Sequence, residues 1–104
     1  MIRTARLGQE RWKVRRVCSI DRTVLARKKE RRDGGYTAGL ADPETCTLYV
    51  EQDQDPRQQA ATLLHEMIHA VDPGLSEPRV LALEADLAPV LWRTGWRPFE
   101  KEDK

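Results

Sequence analysis

Histidine and cysteine are nearly absent from this chain of 104 residues, with two of each, and aromatic residues make up only 6%. The cysteines, Cys18 and Cys46, form no CxxC spacing, so neither a paired-cysteine motif nor a disulfide framework is on offer. Both are expected in strands as small buried hydrophobes. Long apolar runs are missing as well. The first twenty residues contain no stretch of the about seven apolar residues that an export signal requires, and nothing later approaches the roughly twenty needed to span a bilayer. The expectation is a cytoplasmic protein without membrane contact. Internal repeats and low-complexity linkers are also lacking, so residues 1–104 read as one domain. A domain of this size buries roughly 65% of the surface its unfolded chain exposes, enough for one modest core.

An excess of one charge is missing too, with 18 Lys+Arg against 17 Asp+Glu and a net charge of +1, which argues against a simple nucleic-acid binder. The two ends nevertheless differ. Residues 1–35 carry twelve basic against four acidic side chains, and residues 36–104 carry six against thirteen. The basic end is either a solvated strand-and-helix surface or a face for an acidic or nucleic-acid partner.

The pattern is β-rich first and helical later, an α+β domain. Residues 11–20 alternate Trp12, Val14, Val17 and Ile20 with cationic residues, as a half-buried strand with a bulge does. Residues 22–33 are either a short exposed helix or a charged loop, ended by Asp33-Gly34-Gly35. A hairpin follows, with strands Tyr36 to Leu40 and Cys46 to Val50 around a turn from Ala41 to Thr45. Asp55-Pro56 is a helix start, Asp as N-cap and Pro in the first turn. That helix is expected from Pro56 to Val71, burying Ala60, Leu64, Met67, Ile68 and Val71. Asp72-Pro73-Gly74 stops it, and Ser76 caps a second helix with a predicted buried stripe of Val80, Leu83, Leu87, Val90 and Leu91. The polar tail from Arg97 to Lys104 is expected to fray.

Both histidines fall in one run, His65-Glu66-Met67-Ile68-His69, which is HExxH. At i and i+4 on a helix the two imidazoles stand one turn apart on one face, within reach of one metal ion, and the intervening Glu lies about 100° around. Zinc suits such ligands: a catalytic site uses three protein ligands and leaves a position for water. The Glu then acts as general base. The alternatives are a chance coincidence of ordinary histidines and a metal-free scaffold that keeps the motif.

The segments Thr62 to Asp72 and Leu75 to Val80 resemble the active-site helix and following helix of zincin-type metallopeptidases. They are most similar to the short single-domain HExxH metallopeptidases of phages and prophages, loosely related to the SprT-like and ImmA/IrrE-like groups. The resemblance implies a minimal zincin-like domain, with a small antiparallel or mixed sheet of about three strands packed on the HExxH helix and a C-terminal helix. It also implies a peptide or protein substrate, Glu66 as catalytic base, and zinc held by His65, His69 and a third ligand. Glu77 occupies the place of an acid in the LSEExV pattern of those relatives, while Glu84 and Asp72 are rivals, Asp72 also suiting an outer-shell role. In zincins the strand upstream of the active-site helix lies at the sheet edge and pairs with substrate, which points to Thr47 to Glu51; an interior strand is the alternative. Tyr36 and Tyr49 are either oxyanion stabilisers or packing residues, and Trp12, Trp92 and Trp96 read as packing. A second functional class also fits: a regulatory or nucleic-acid-associated binding module, with a structural metal or none, motivated by Arg11 to Arg16 and Arg27 to Arg32.

Overall fold

The computed structural model describes residues 4–18, 20 and 38–99. Within them the chain forms four strands and then two helices: β1 (Thr4–Leu7), β2 (Glu10–Val17), β3 (Gly39–Asp42), β4 (Thr47–Glu51), α1 (Pro56–Val71) and α2 (Glu77–Arg93). The sheet order is β1-β2-β4-β3, with β2 and β4 parallel and the outer pairs antiparallel. This is an α+β fold with a mixed sheet of four strands rather than about three. The addition is β1, a four-residue strand joined to β2 through Gly8, whose φ of 64° is one that a two-residue turn readily takes from glycine.

The β3–β4 hairpin forms where expected but is shifted along the chain. Ala41 and Asp42 lie in the strand instead of the turn, while Cys46 lies in the turn with φ 49°. The Asp42 carboxylate organises that turn, accepting from the Glu44 N–H and the Thr45 hydroxyl, both at 3.1 Å. Tyr36, the charged segment 22–33 and Gly34-Gly35 lie outside the described residues.

Strand alternation sends Trp12, Val14, Leu48 and Val50 to one side of the sheet, where they meet Leu63 of α1 and Phe99. On the opposite side Tyr49 is buried against Ile20, with Val17 and Leu40 beside it. The expectations for residues 97–99 of the tail and for the cysteines are corrected, and residues 100–104 lie outside the described residues. Arg97 bonds back to the Trp92 and Trp96 carbonyls at 2.6 and 3.2 Å, and Phe99 is only 5% exposed, so the chain from 97 to 99 is docked, not frayed. Cys18 is exposed and Cys46 half-buried. Partial desolvation and the nearby Glu10 carboxylate raise the Cys46 thiol above its ordinary value, which keeps it protonated and a poor metal ligand.

Both helices start as predicted. The Asp55 carboxylate accepts from Gln58 N–H at 2.8 Å, and Ser76 Oγ from Arg79 N–H at 3.4 Å. Their buried faces differ from those the periodicity suggests. On α1 the buried residues are Gln59, Ala60, Thr62, Leu63, Leu64 and Glu66, so Ala60 and Leu64 are buried as expected, while Met67 and Ile68 are half-buried and Val71 is 56% exposed. On α2 only Val80 is buried; Leu87 and Val90 are exposed because this helix packs on α1, with the sheet on the far side of α1.

Candidate metal centre

Helix α1 runs past the edge strand β3, and its HExxH segment lies along a cleft of about 360 Å³. Residues 39–41 and Pro43 form one wall of that cleft, and His65, Glu66, His69 and Ala70 form the other. Trp12, Pro73 and Glu77 complete it. Glu77 arrives because α1 ends at Val71 and the chain turns within a few residues, with Leu75 N–H donating to the Asp72 carbonyl at 3.0 Å. The next helix therefore begins directly over the histidines, with Glu77 in its first turn.

The Glu77 carboxylate spans both imidazoles. Its Oε1 lies 2.9 Å from His69 Nε2, and its Oε2 lies 3.1 Å from His65 Nε2. One ligand atom from each of the three residues falls within 4.8 Å of the others. Tetrahedral zinc with bonds of about 2.0–2.1 Å sets donor atoms about 3.3 Å apart, and the two separations, each to a different Glu77 oxygen, are slightly shorter than that spacing. The rings themselves are 4.9 Å apart in an edge-on arrangement.

Glu84 takes another position. Its Oε1 lies 2.8 Å from His65 Nδ1, on the side of the ring away from Glu77. A neutral imidazole carries one N–H. With Nδ1–H donated to Glu84, the Nε2 lone pair faces the Glu77 carboxylate, acceptor against acceptor. A shared cation turns that contact attractive, as does a second ring proton. The donor set of two imidazole nitrogens and one carboxylate oxygen, with a carboxylate behind one imidazole, fits zinc. Of the three acids that the sequence leaves in competition, Glu77 thus shares a focus with both Nε2 atoms and Glu84 stands behind His65. Asp72 caps the C-terminus of α1 and is not part of the group.

Glu66 is 8% exposed and points toward β3 rather than solvent. The close approach depends on Gly39. A Cβ at that position would lie 2.8 Å from Glu66 Oε2, 2.9 Å from Glu66 Cγ and 2.5 Å from Thr62 Cγ2, so no larger residue fits without displacement. Gly39 is the site residue that sequence reasoning passed over. Its signal was a glycine inside a strand pattern, which marks a bulge or a near backbone neighbour.

The expected role of β4 is corrected, and Tyr49 takes the packing role of its two alternatives. Strand β4 is paired on both sides, to β2 and to β3, so Thr47–Glu51 is interior and has no free edge for a peptide. The edge beside the cleft belongs to β3. Tyr49 lies on the sheet side opposite α1, in the cluster with Ile20, and does not reach the cleft. No helix among the described residues is long and apolar enough to cross a membrane. The chain matches no protein-family model, no curated protein and no solved structure.

Proposed function

We propose that the chain is a zinc-dependent metallopeptidase of minimal zincin-like form. The observation that carries this reading is the convergence of His65 Nε2, His69 Nε2 and the Glu77 carboxylate in a cleft that also holds Glu66 and β3, an edge strand of the sheet among the described residues. The resemblance of the HExxH and LSE segments to small phage and prophage metallopeptidases points the same way. When bound, zinc supplies Lewis acidity toward a scissile carbonyl and lowers the pKa of a coordinated water toward neutrality. His65, His69 and Glu77 hold the ion. Glu84 fixes the tautomer and orientation of His65 through Nδ1. Glu66 takes the proton of the attacking water and hands it to the departing amine. The edge of β3 offers main-chain N–H and C=O groups to an extended peptide, which would be laid along the histidines by strand addition. Such an enzyme acts on protein or peptide in a small open cleft.

Zinc content measured by mass spectrometry on tag-free protein, with cleavage of a peptide library alongside, tests the reading. Wild-type protein is expected to carry about one zinc per chain. His69→Ala should lose the metal, Glu66→Gln should keep it while losing cleavage, and Glu84→Gln should weaken zinc affinity by about 10–100-fold. Absence of zinc from the wild type, or full cleavage by Glu66→Gln, overturns it.

A further inference from the structure

The sheet side turned away from α1 carries a row of cations that the metal centre does not use. Alternation along β2 buries Trp12 and Val14 beneath α1 and leaves Arg11, Lys13 and Arg15 exposed on the other side. The β1–β2 register adds Arg6, directly opposite Arg11, and places Thr4 opposite Lys13. Arg16 does not belong to this row: its guanidinium reaches Gln59 Oε1 at 3.3 Å and lies 5.2 Å over the Phe99 ring. The row from Arg11 to Arg15 is about 13 Å long, with Arg6 one strand away.

Like charges directly opposite one another on a sheet destabilise it. Arg6 faces Arg11 across the ladder, and among the described residues no acidic side chain makes an ion pair with any of the four cations. Acids on the same side are committed elsewhere. Asp42 is 5% exposed and holds the β3–β4 turn, and Glu51 is 3% exposed and accepts from the Ile20 N–H at 3.0 Å. The patch is thus a repulsive surface that a polyanion would relieve.

We propose that Arg6, Arg11, Lys13 and Arg15 bind the phosphate backbone of a nucleic acid. A duplex carries one phosphate charge per about 1.7 Å of its axis, both strands counted, so a row of this length with Arg6 beside it can face several phosphates. A membrane surface fits less well, because stable interfacial binding adds apolar anchors to charge. The exposed large hydrophobics among the described residues, Val71, Leu81, Leu87 and Val90, all lie on the two helices, which this side of the sheet faces away from. The surface is on the opposite side of the sheet from the zinc site, so the two can succeed or fail separately.

Fluorescence anisotropy of a labelled oligonucleotide, single-stranded and duplex, titrated with the full chain at increasing salt, tests this. Affinity should fall steeply with salt, with a logarithmic slope of about −3 to −4 on duplex if four phosphates are neutralised. The double variant Arg11→Glu/Lys13→Glu should bind at least about tenfold more weakly at about 50 mM salt. Because Arg11→Glu sets a carboxylate opposite Arg6 in place of a like charge, the melting temperature of this variant should not fall, and its zinc content should match the wild type. Arg31→Glu/Arg32→Glu, outside the described residues, serves as a comparison with the same change in charge. The proposal is overturned by absence of oligonucleotide binding at low salt, by loss of binding only in the Arg31/Arg32 variant, or by capture on phosphatidylserine vesicles without oligonucleotide binding.

Discussion

The two helices are similar in length and start with the same kind of cap, yet they treat polarity in opposite ways. Helix α1 buries Gln59, Thr62 and Glu66 against the sheet, whereas α2 leaves Leu81, Leu87 and Val90 in solvent. The difference follows from their neighbours. Helix α1 lies between the sheet and α2, so its sheet-facing side is buried whatever residues occupy it. Its polar groups are tolerated because they are bonded: Thr62 Oγ donates to Gln54 Oε1 at 2.9 Å, and Gln59 Nε2 donates to the Gln54 carbonyl at 2.7 Å. Helix α2 has one helical partner, and its apolar side chains extend past that contact. Burial here tracks how many layers surround an element, and of the buried polar positions on α1 Glu66 lines the cleft.

The largest expected effect tests the layered side of that contrast. Leu63 of α1 is fully buried between the sheet and the helix layer, touching the cluster of Trp12, Val14, Leu48, Val50 and Phe99. Leu63→Ala should destabilise the fold by about 2–5 kcal/mol in urea denaturation, since a rigid sheet on one side limits collapse into the cavity. A loss below about 1 kcal/mol would mean that α1 is not clamped in this way.

A middle-sized effect is expected where a polar residue of α1 meets the sheet. Gly39→Ala pushes a methyl group into Thr62 and Glu66 and should cost about 1–3 kcal/mol through overpacking. Adding Thr62→Ser removes Cγ2, the atom nearest the new methyl group, and keeps the hydroxyl that bonds Gln54. Part of the stability should then return, while Glu66 stays displaced and the cleavage proposed for it stays absent. Wild-type stability in Gly39→Ala alone would show that β3 and α1 are farther apart than the structure has them.

What could be read from the sequence divides along the same line, between local and layered features. Asp55-Pro56, Ser76 and the HExxH spacing lie within a few residues of what they control, so both helix starts and the shared face of His65 and His69 were legible. Glu77 and Glu84 stand seven residues apart on one helix, and only the tight turn at 72–75 decides which faces both Nε2 atoms. Strand order was illegible for a related reason: β2 pairs with β4 across an intervening strand, so the segment just before α1 is interior and the cleft edge passes to β3. Phe99 shows the same limit in one residue. A single aromatic in a polar tail carries no periodicity, yet it completes the core beneath Arg16.

The smallest effect belongs to the open face of α2. Periodicity places Leu87 at the centre of an apolar stripe and so predicts a costly site, but the side chain is 43% exposed. Leu87→Ala should therefore change stability by about 0.5 kcal/mol or less, the range of surface substitutions away from special features. The comparison with Leu63→Ala is informative because the substitution is chemically identical and only the number of surrounding layers changes. A cost near 2 kcal/mol at Leu87 that rises with protein concentration would mean that the stripe is covered in solution by another copy of the chain, because stability gained through association depends on concentration. A cost of that size independent of concentration would instead place α2 deeper against the molecule than its contact with α1 allows, and the contrast between the helices would fail.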